Sequence, residues 1–225
     1  MIRLVLFDID GTLIRTHGAG MRAFELALGS EFGVRNGAAG IKFSGRTDPS
    51  IVRDAFTVHG IAPTREHFAR FFDAYVFWLD AVLNESVGSA CEGVVEFIEG
   101  LSRLRRPPRI GLLTGNIRLG AEIKLRHYNL WGHYTMGAFG DEHEERNELA
   151  RIALQRGRRL LGPKLKGEEV LVVGDTPLDI ACANAIGARM LAVATGGSTC
   201  EELRQHRPAW VVEDLSRISA SEACS

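Results

Sequence analysis

Four aspartates occupy positions where carboxylates do chemistry. Asp8 and Asp10 follow the short apolar run Ile2–Phe7, in Phe7-Asp8-Ile9-Asp10-Gly11-Thr12-Leu13, and Asp175 follows a second run, Val170–Gly174. Asp179 comes four positions later, in the first turn of a helix that Thr176-Pro177 is expected to open. Ligands of α/β sheets bind at the carboxyl ends of strands, so these acids fall where a site is expected. Carboxylates two residues apart on extended chain project the same way, and both stay ionised only beside a cation. Mg²⁺ prefers such oxygen ligands. Asp8, Asp10 and Asp175 thus form a plausible three-carboxylate Mg²⁺ site, with Asp179 as a further ligand or as support. The plain alternatives are a solvated Asp-Gly turn for the first pair and a helix-dipole acid for Asp179. A third run, Leu112-Leu113-Thr114-Gly115-Asn116, offers a hydroxyl and backbone N–H groups at a helix N-terminus, a setting that binds phosphate, although the same residues are common turn chemistry.

The elements that must position these groups alternate. Strands are expected at Ile2–Phe7, Arg109–Leu113, Tyr134–Phe139, Val170–Val173 and Met190–Ala194, with a weaker one at Trp210–Val212. Helical patterns at Glu92–Leu104, Ile117–Tyr128, Arg146–Leu160 and Pro177–Ile186 separate them, and Ser198 with Glu201 reads as a capping box. The alternation implies an α/β fold: a Rossmann-like, mainly parallel sheet with helices on both faces. Between about Arg15 and Glu85 only helical patterns occur, including the stripe Phe68, Phe71, Phe72, Tyr75, Trp78 and Leu79, read as packing. The expected division is therefore a catalytic core of residues 1–14 and 87–225 and an inserted helical cap of residues 15–86.

Composition excludes several classes. The 225 residues carry 27 Lys+Arg against 28 Asp+Glu, without the basic excess of a nucleic-acid or anionic-membrane binder. No stretch has the ~20 apolar residues of a spanning helix. The start of the chain has no secretory pattern, and four cysteines without metal-like spacing suit reduced thiols, so a cytoplasmic location is expected.

Asp8-Ile9-Asp10-Gly11-Thr12, then Thr114, then Gly174-Asp175-x-x-x-Asp179, in that order and context, resemble the haloacid dehalogenase-like hydrolase superfamily. The helical insertion and the late stretches Ala194–Gly197 and Ala209–Leu215 are similar to its phosphoglycolate-phosphatase-like branch. The resemblance implies Mg²⁺-dependent hydrolysis of a small phosphorylated metabolite. Asp8 would be the nucleophile and Asp10 the acid and base. Mg²⁺ would be held by the Asp8 carboxylate, the Asp10 backbone carbonyl and Asp175, and phosphate by Thr114, Gly115 and Asn116. The branch's usual Lys-Pro-x-Pro stretch is missing; helix register puts Arg146 in its place, with Lys164 and Lys166 as alternatives. In the cap, Phe43-Ser44-Gly45-Arg46-Thr47-Asp48 looks like the specificity loop, where Arg46 would meet a substrate anion. A phosphomutase of the same superfamily is the nearest rival. A 2-haloacid dehalogenase needs neither Asp10 nor Asp175, and a non-catalytic binding protein would not need the full acidic set.

Overall fold

In chain order, the computed structural model, which describes residues 1–225, runs β1 (Leu4–Phe7), β2 (Ile14–Arg15), α1 (Ala19–Phe32), α2 (Asp48–Val58), α3 (Arg65–Glu85) and β3 (Ser89–Ala90). It continues α4 (Val94–Ser102), β4 (Arg109–Leu113), α5 (Arg118–His127), β5 (Met136–Ala138), α6 (Arg146–Leu161), β6 (Val170–Gly174) and α7 (Pro177–Ala185). It ends with β7 (Arg189–Val193), α8 (Cys200–Gln205), β8 (Trp210–Val212) and α9 (Ala220–Ala223).

Six strands form one parallel sheet in the order β5-β4-β1-β6-β7-β8. Its centre is apolar on both faces because both are covered. Val5 and Phe7 of β1 and Leu171 and Val173 of β6 point into a core closed by α4, α5 and α9. Leu4, Leu6, Val170 and Val172 point the other way, into a core closed by α6, α7 and α8. The period-two alternation of side chains thus feeds two cores from one run of Val, Leu and Phe, as a doubly covered parallel sheet requires. No helix is long and apolar enough to cross a membrane.

Helices α1, α2 and α3 bury a core of their own, centred on Phe24, Leu28, Val52, Phe56, Phe71 and Leu79. Of the aromatic stripe, Phe71, Tyr75 and Leu79 are buried, and Phe68, Phe72 and Trp78 pack against them partly covered. The chain leaves and rejoins the sheet through β2 and β3, which pair antiparallel, Ile14 opposite Ala90 and Arg15 opposite Ser89. Neither strand was expected, because two residues carry no readable period. Two other expectations move slightly. The strand at Tyr134–Phe139 contracts to Met136–Ala138. The α8 capping box is Thr199 with Glu202, one residue beyond Ser198 and Glu201, because Thr199 is the residue with extended backbone whose hydroxyl accepts from the Glu202 N–H.

The helical block is also joined to the end of β4 by two hydrogen bonds of Asp48, one through its backbone and one through its carboxylate. Asp48 N–H donates to the Gly115 carbonyl at 2.8 Å, and the Ile117 N–H donates to the Asp48 carboxylate at 2.8 Å. The N-cap of α2 is Thr47, and Asp48 is its first helical residue. The approach is close enough that a Cβ at Gly115 would run into the Arg46 carbonyl. A Gly115→Ala variant is therefore expected to push the 42–47 loop off the sheet and lower stability by about 1–3 kcal/mol, a typical overpacking cost. For a chain of this size that is a Tm drop of at least ~3 °C, measurable by thermal melt. An unchanged Tm would show that the two loops part without cost.

Candidate active site

The carboxyl ends of β1, β4 and β6 open into a cleft of about 650 Å³ under the helical block. Asp8 follows β1 and is 5% exposed; Asp175 follows β6 and is 3% exposed. Asp179, in the first turn of α7, lies beside them, and the three carboxylates have oxygens within 4.8 Å of one another. Gly11 makes this possible. It sits at φ +82°, and a Cβ there would come within 2.6 Å of Asp175 Oδ2. Thr12 Oγ1 donates to Asp175 Oδ1 at 3.0 Å, tying the first loop to the second.

One guanidinium pairs with two of the three acids. Arg146, at the start of α6 and 8% exposed, lies 3.4 Å from Asp8 Oδ1 and pairs closely with Asp179 Oδ1, while its other nitrogen donates to the Gly45 carbonyl at 3.1 Å. Burial opposes its charge, yet Asp179 and Asp8 hold its pKa above the ordinary arginine value. Lys164 and Lys166 do not reach this place. They precede β6, whose first residue pairs with Leu4, so they lie at the amino ends of the strands, and Lys166 is an exposed partner of Glu168.

The geometry divides the four aspartates. Asp179 Oδ2 accepts from Thr176 N–H at 3.0 Å and Thr176 Oγ1 at 2.6 Å, which leaves it little free coordination beyond Arg146. It supports the cluster more than it opens toward the cleft. Asp10 does not join the cluster through its side chain, although its carboxylate was expected among the metal-site acids. Both of its oxygens are taken by Lys124 Nζ, at 2.8 and 2.7 Å, and Oδ2 also accepts from Asn116 Nδ2 at 2.8 Å.

The donor set fits a hard divalent cation. Three clustered buried carboxylates have one guanidinium among them, paired with Asp8 and Asp179, so the ionised set is net negative in a poorly solvated place. Burial, against the pull of Arg146, pushes the Asp8 carboxyl up to about 7. Burial and the neighbouring Asp179 and Asp8 push Asp175 up to about 8. An oxygen-seeking ion would relieve both.

The expected phosphate-binding residues are placed unevenly. Gly115 and Asn116 line the cleft, and no protein acceptor takes the Gly115 N–H, which makes it a ready donor to a phosphate oxygen. Thr114 is fully buried one step behind, its hydroxyl accepting from Asn116 N–H at 3.3 Å and Nδ2 at 2.9 Å. Arg46 reaches the cleft wall, but its guanidinium is engaged with Asp54 at 2.6 Å, the Ser50 carbonyl at 3.1 Å and the Lys42 carbonyl at 3.3 Å. Its charge is directed into its own loop and α2. Sequence reasoning missed Lys124. The signal was present: in the expected helix it shares the apolar face with Ala121 and Leu125, where a lysine is out of place.

A family model described as haloacid dehalogenase-like hydrolase matches residues 5–184, four-fifths of the chain and all four acids. The chain belongs to the haloacid dehalogenase-like hydrolase family. Two curated relatives align along nearly the full length of this family member. PpaX of Caldanaerobacter subterraneus, named as a pyrophosphatase, is 26% identical over 222 residues, covering 96% of this chain and 93% of its own. IndB of Dickeya dadantii, named as a phosphatase, is 25% identical, covering 96% and 91%. Among solved structures, CbbY of Rhodobacter sphaeroides in complex with phosphate superposes with a TM-score of 0.70 at 18% identity, covering 96% of both chains. At that identity the likeness shows the fold.

Proposed function

We propose that this protein is a Mg²⁺-dependent phosphatase that hydrolyses a small-molecule phosphate monoester through an aspartyl-phosphate on Asp8. Phosphatase chemistry is supported by family membership and by two near-full-length relatives named for phosphate release. The observation that carries the mechanistic reading is the separation of Asp8 from Asp10. Asp8 sits inside the buried acidic cluster beside Arg146, whereas Asp10 is held apart from it and faces the cleft.

The roles follow from position. Asp8 and Asp175 would hold the cation with the Asp10 carbonyl, Asp179 would brace Arg146, and bound Mg²⁺ would neutralise the nucleophile against an anionic substrate. Asp8 Oδ attacks phosphorus as the ester oxygen departs. Asp10 gives that oxygen a proton, then takes one from the water that cleaves the aspartyl-phosphate. The Gly115 N–H and Arg146 stabilise charge on the transferring group. The block of α1–α3 serves as the cap, consistent with its separate core and narrow β2–β3 connection. Closed over the cleft, it admits compact metabolites and excludes water. Four free cysteines, three of them buried, suit a reducing cytoplasm.

The test is phosphate release from a panel of metabolite monoesters with purified protein, in Mg²⁺ and in excess EDTA. Turnover of at least one ester that is lost in EDTA and restored by Mg²⁺ is expected. Equal turnover in both would sink the metal assignment. Isomerisation of a hexose phosphate without phosphate release would favour the phosphomutase.

A further inference from the structure

Lys124 takes no part in the scheme above, yet it is among the most constrained side chains of the molecule. Its side chain is 5% exposed. Moving an ammonium out of water costs several kcal/mol unless it is paired and fully hydrogen-bonded, and a lysine needed only for packing would extend its charge to solvent. Lys124 instead gives its three N–H donors to three acceptors: both Asp10 oxygens, at 2.8 and 2.7 Å, and Asn116 Oδ1 at 2.7 Å. Asn116 closes the ring by donating to Asp10 Oδ2 at 2.8 Å and to Thr114 Oγ1 at 2.9 Å. Asp10 keeps 42% of its side chain exposed, on the side facing the cleft.

The helical block closes the other side of the ammonium. A Cβ added at Gly20 would lie 3.5 Å from Lys124 Nζ and 3.8 Å from the Tyr75 hydroxyl. Burial opposes the lysine's charge, but Asp10, Tyr75 and Asp48 hold its pKa above the ordinary range. The ammonium borders the cleft beside α1 and α3, but its three donors are spent on Asp10 and Asn116, which leaves it none for a substrate while that ring is intact.

We propose that Lys124 is a positioning residue: with Asn116 it holds the Asp10 carboxyl in one rotamer, at the point where the ester oxygen departs. This rests on Asp10 being the proton donor. In that step the P–O bond to the alcohol breaks and its electron pair stays on the alcohol oxygen. That oxygen takes the proton from Asp10, and Asp10 recovers one from the water that later attacks the aspartyl-phosphate. Lys124 gives up no proton; it fixes where the transfer occurs, a condition on which general acid catalysis depends steeply.

The experiment compares kcat/KM for an alkyl phosphate, whose alkoxide needs a proton to leave, with that for p-nitrophenyl phosphate, whose nitrophenolate does not. Measured this way, the later water step does not enter. Lys124→Met is expected to lose about 100-fold on the alkyl ester and under about 10-fold on the aryl ester, the range for losing general acid catalysis. Asp10→Asn should show the same discrimination, and the double variant should fall no further than the weaker single, as residues acting as a unit do. Lys124→Gln, judged by the same ratio, covers a failure of the Met variant to fold. Equal losses on both esters with Lys124→Met or Lys124→Gln, or additive losses in the double variant, overturn the proposal while leaving Asp10 as acid. If Asp10→Asn itself does not discriminate, the acid assignment fails, and the role given to Lys124 falls with it.

Discussion

Asp8→Asn is expected to abolish phosphate release while the protein folds and gains stability in the absence of metal. The loss of activity follows from chemistry: an amide cannot attack phosphorus to form the acyl phosphate. A fall to background, at least about 10³-fold, is expected in a Mg²⁺-supplemented phosphate-release assay. The gain in stability follows from burial. The folded-state pKa of Asp8 is pushed up to about 7, above its unfolded value near 4. A carboxyl raised in this way contributes least once ionised, so the metal-free wild type loses stability as pH rises between about 4 and 7. Asn carries no charge and escapes that loss. At pH 8 in EDTA the variant is expected to melt about 2–4 °C above the wild type, roughly 1 kcal/mol. Retained turnover would transfer the nucleophile elsewhere; a lower melting point would mean that the Asp8–Arg146 pair outweighs the burial cost.

Arg146→Ala is expected to damage both stability and activity, because the side chain holds a buried ion cluster together and, in the proposed mechanism, would also stabilise the transferring phosphoryl group. It is the one cation among three buried carboxylates, and removing one partner of a buried ion cluster typically costs about 3–5 kcal/mol. In thermal melts without metal, that is a drop of roughly 10 °C or more, partly recovered by millimolar Mg²⁺. Turnover should fall by about 10²–10³-fold with Mg²⁺ present, the scale for losing a donor to the transition-state anion. Arg146→Lys should recover only part of this. An ammonium can reach either Asp8 or Asp179 but cannot span both and the Gly45 carbonyl as the guanidinium does. Normal turnover in Arg146→Ala would end its role in catalysis.

Much of this arrangement was legible along the chain, for identifiable reasons. The strands bearing Asp8 and Asp175 are buried on both faces, so they read as unbroken runs of Val, Leu and Phe, and the acid ending each run marks the carboxyl edge of the sheet. Arg146 was reached from the family resemblance, with helix register choosing the position, and the structure puts it beside Asp8. The helical block was legible by its lack of strand pattern, whereas β2 and β3 at its base were too short to have one.

What the chain could not show was the pairing. Asp8, Asp10, Asp175 and Asp179 share one chemistry, and nothing in spacing says which shares Arg146 and which goes to Lys124. That is decided at distances of about 3 Å between residues far apart in sequence, Lys124 and Asp10 being separated by 114 positions. Arg46 shows the same limit from the other side. A basic residue in a glycine loop suggests an anion site, but the fold turns its guanidinium onto Asp54 and two carbonyls. The class of fold and the positions of the four acids could be read along the chain, because burial and alternation are written locally. Their partners, and the departure of Asp10 from the cluster, emerge only on folding, because the energy of a buried charge depends on what the rest of the chain brings within reach of it.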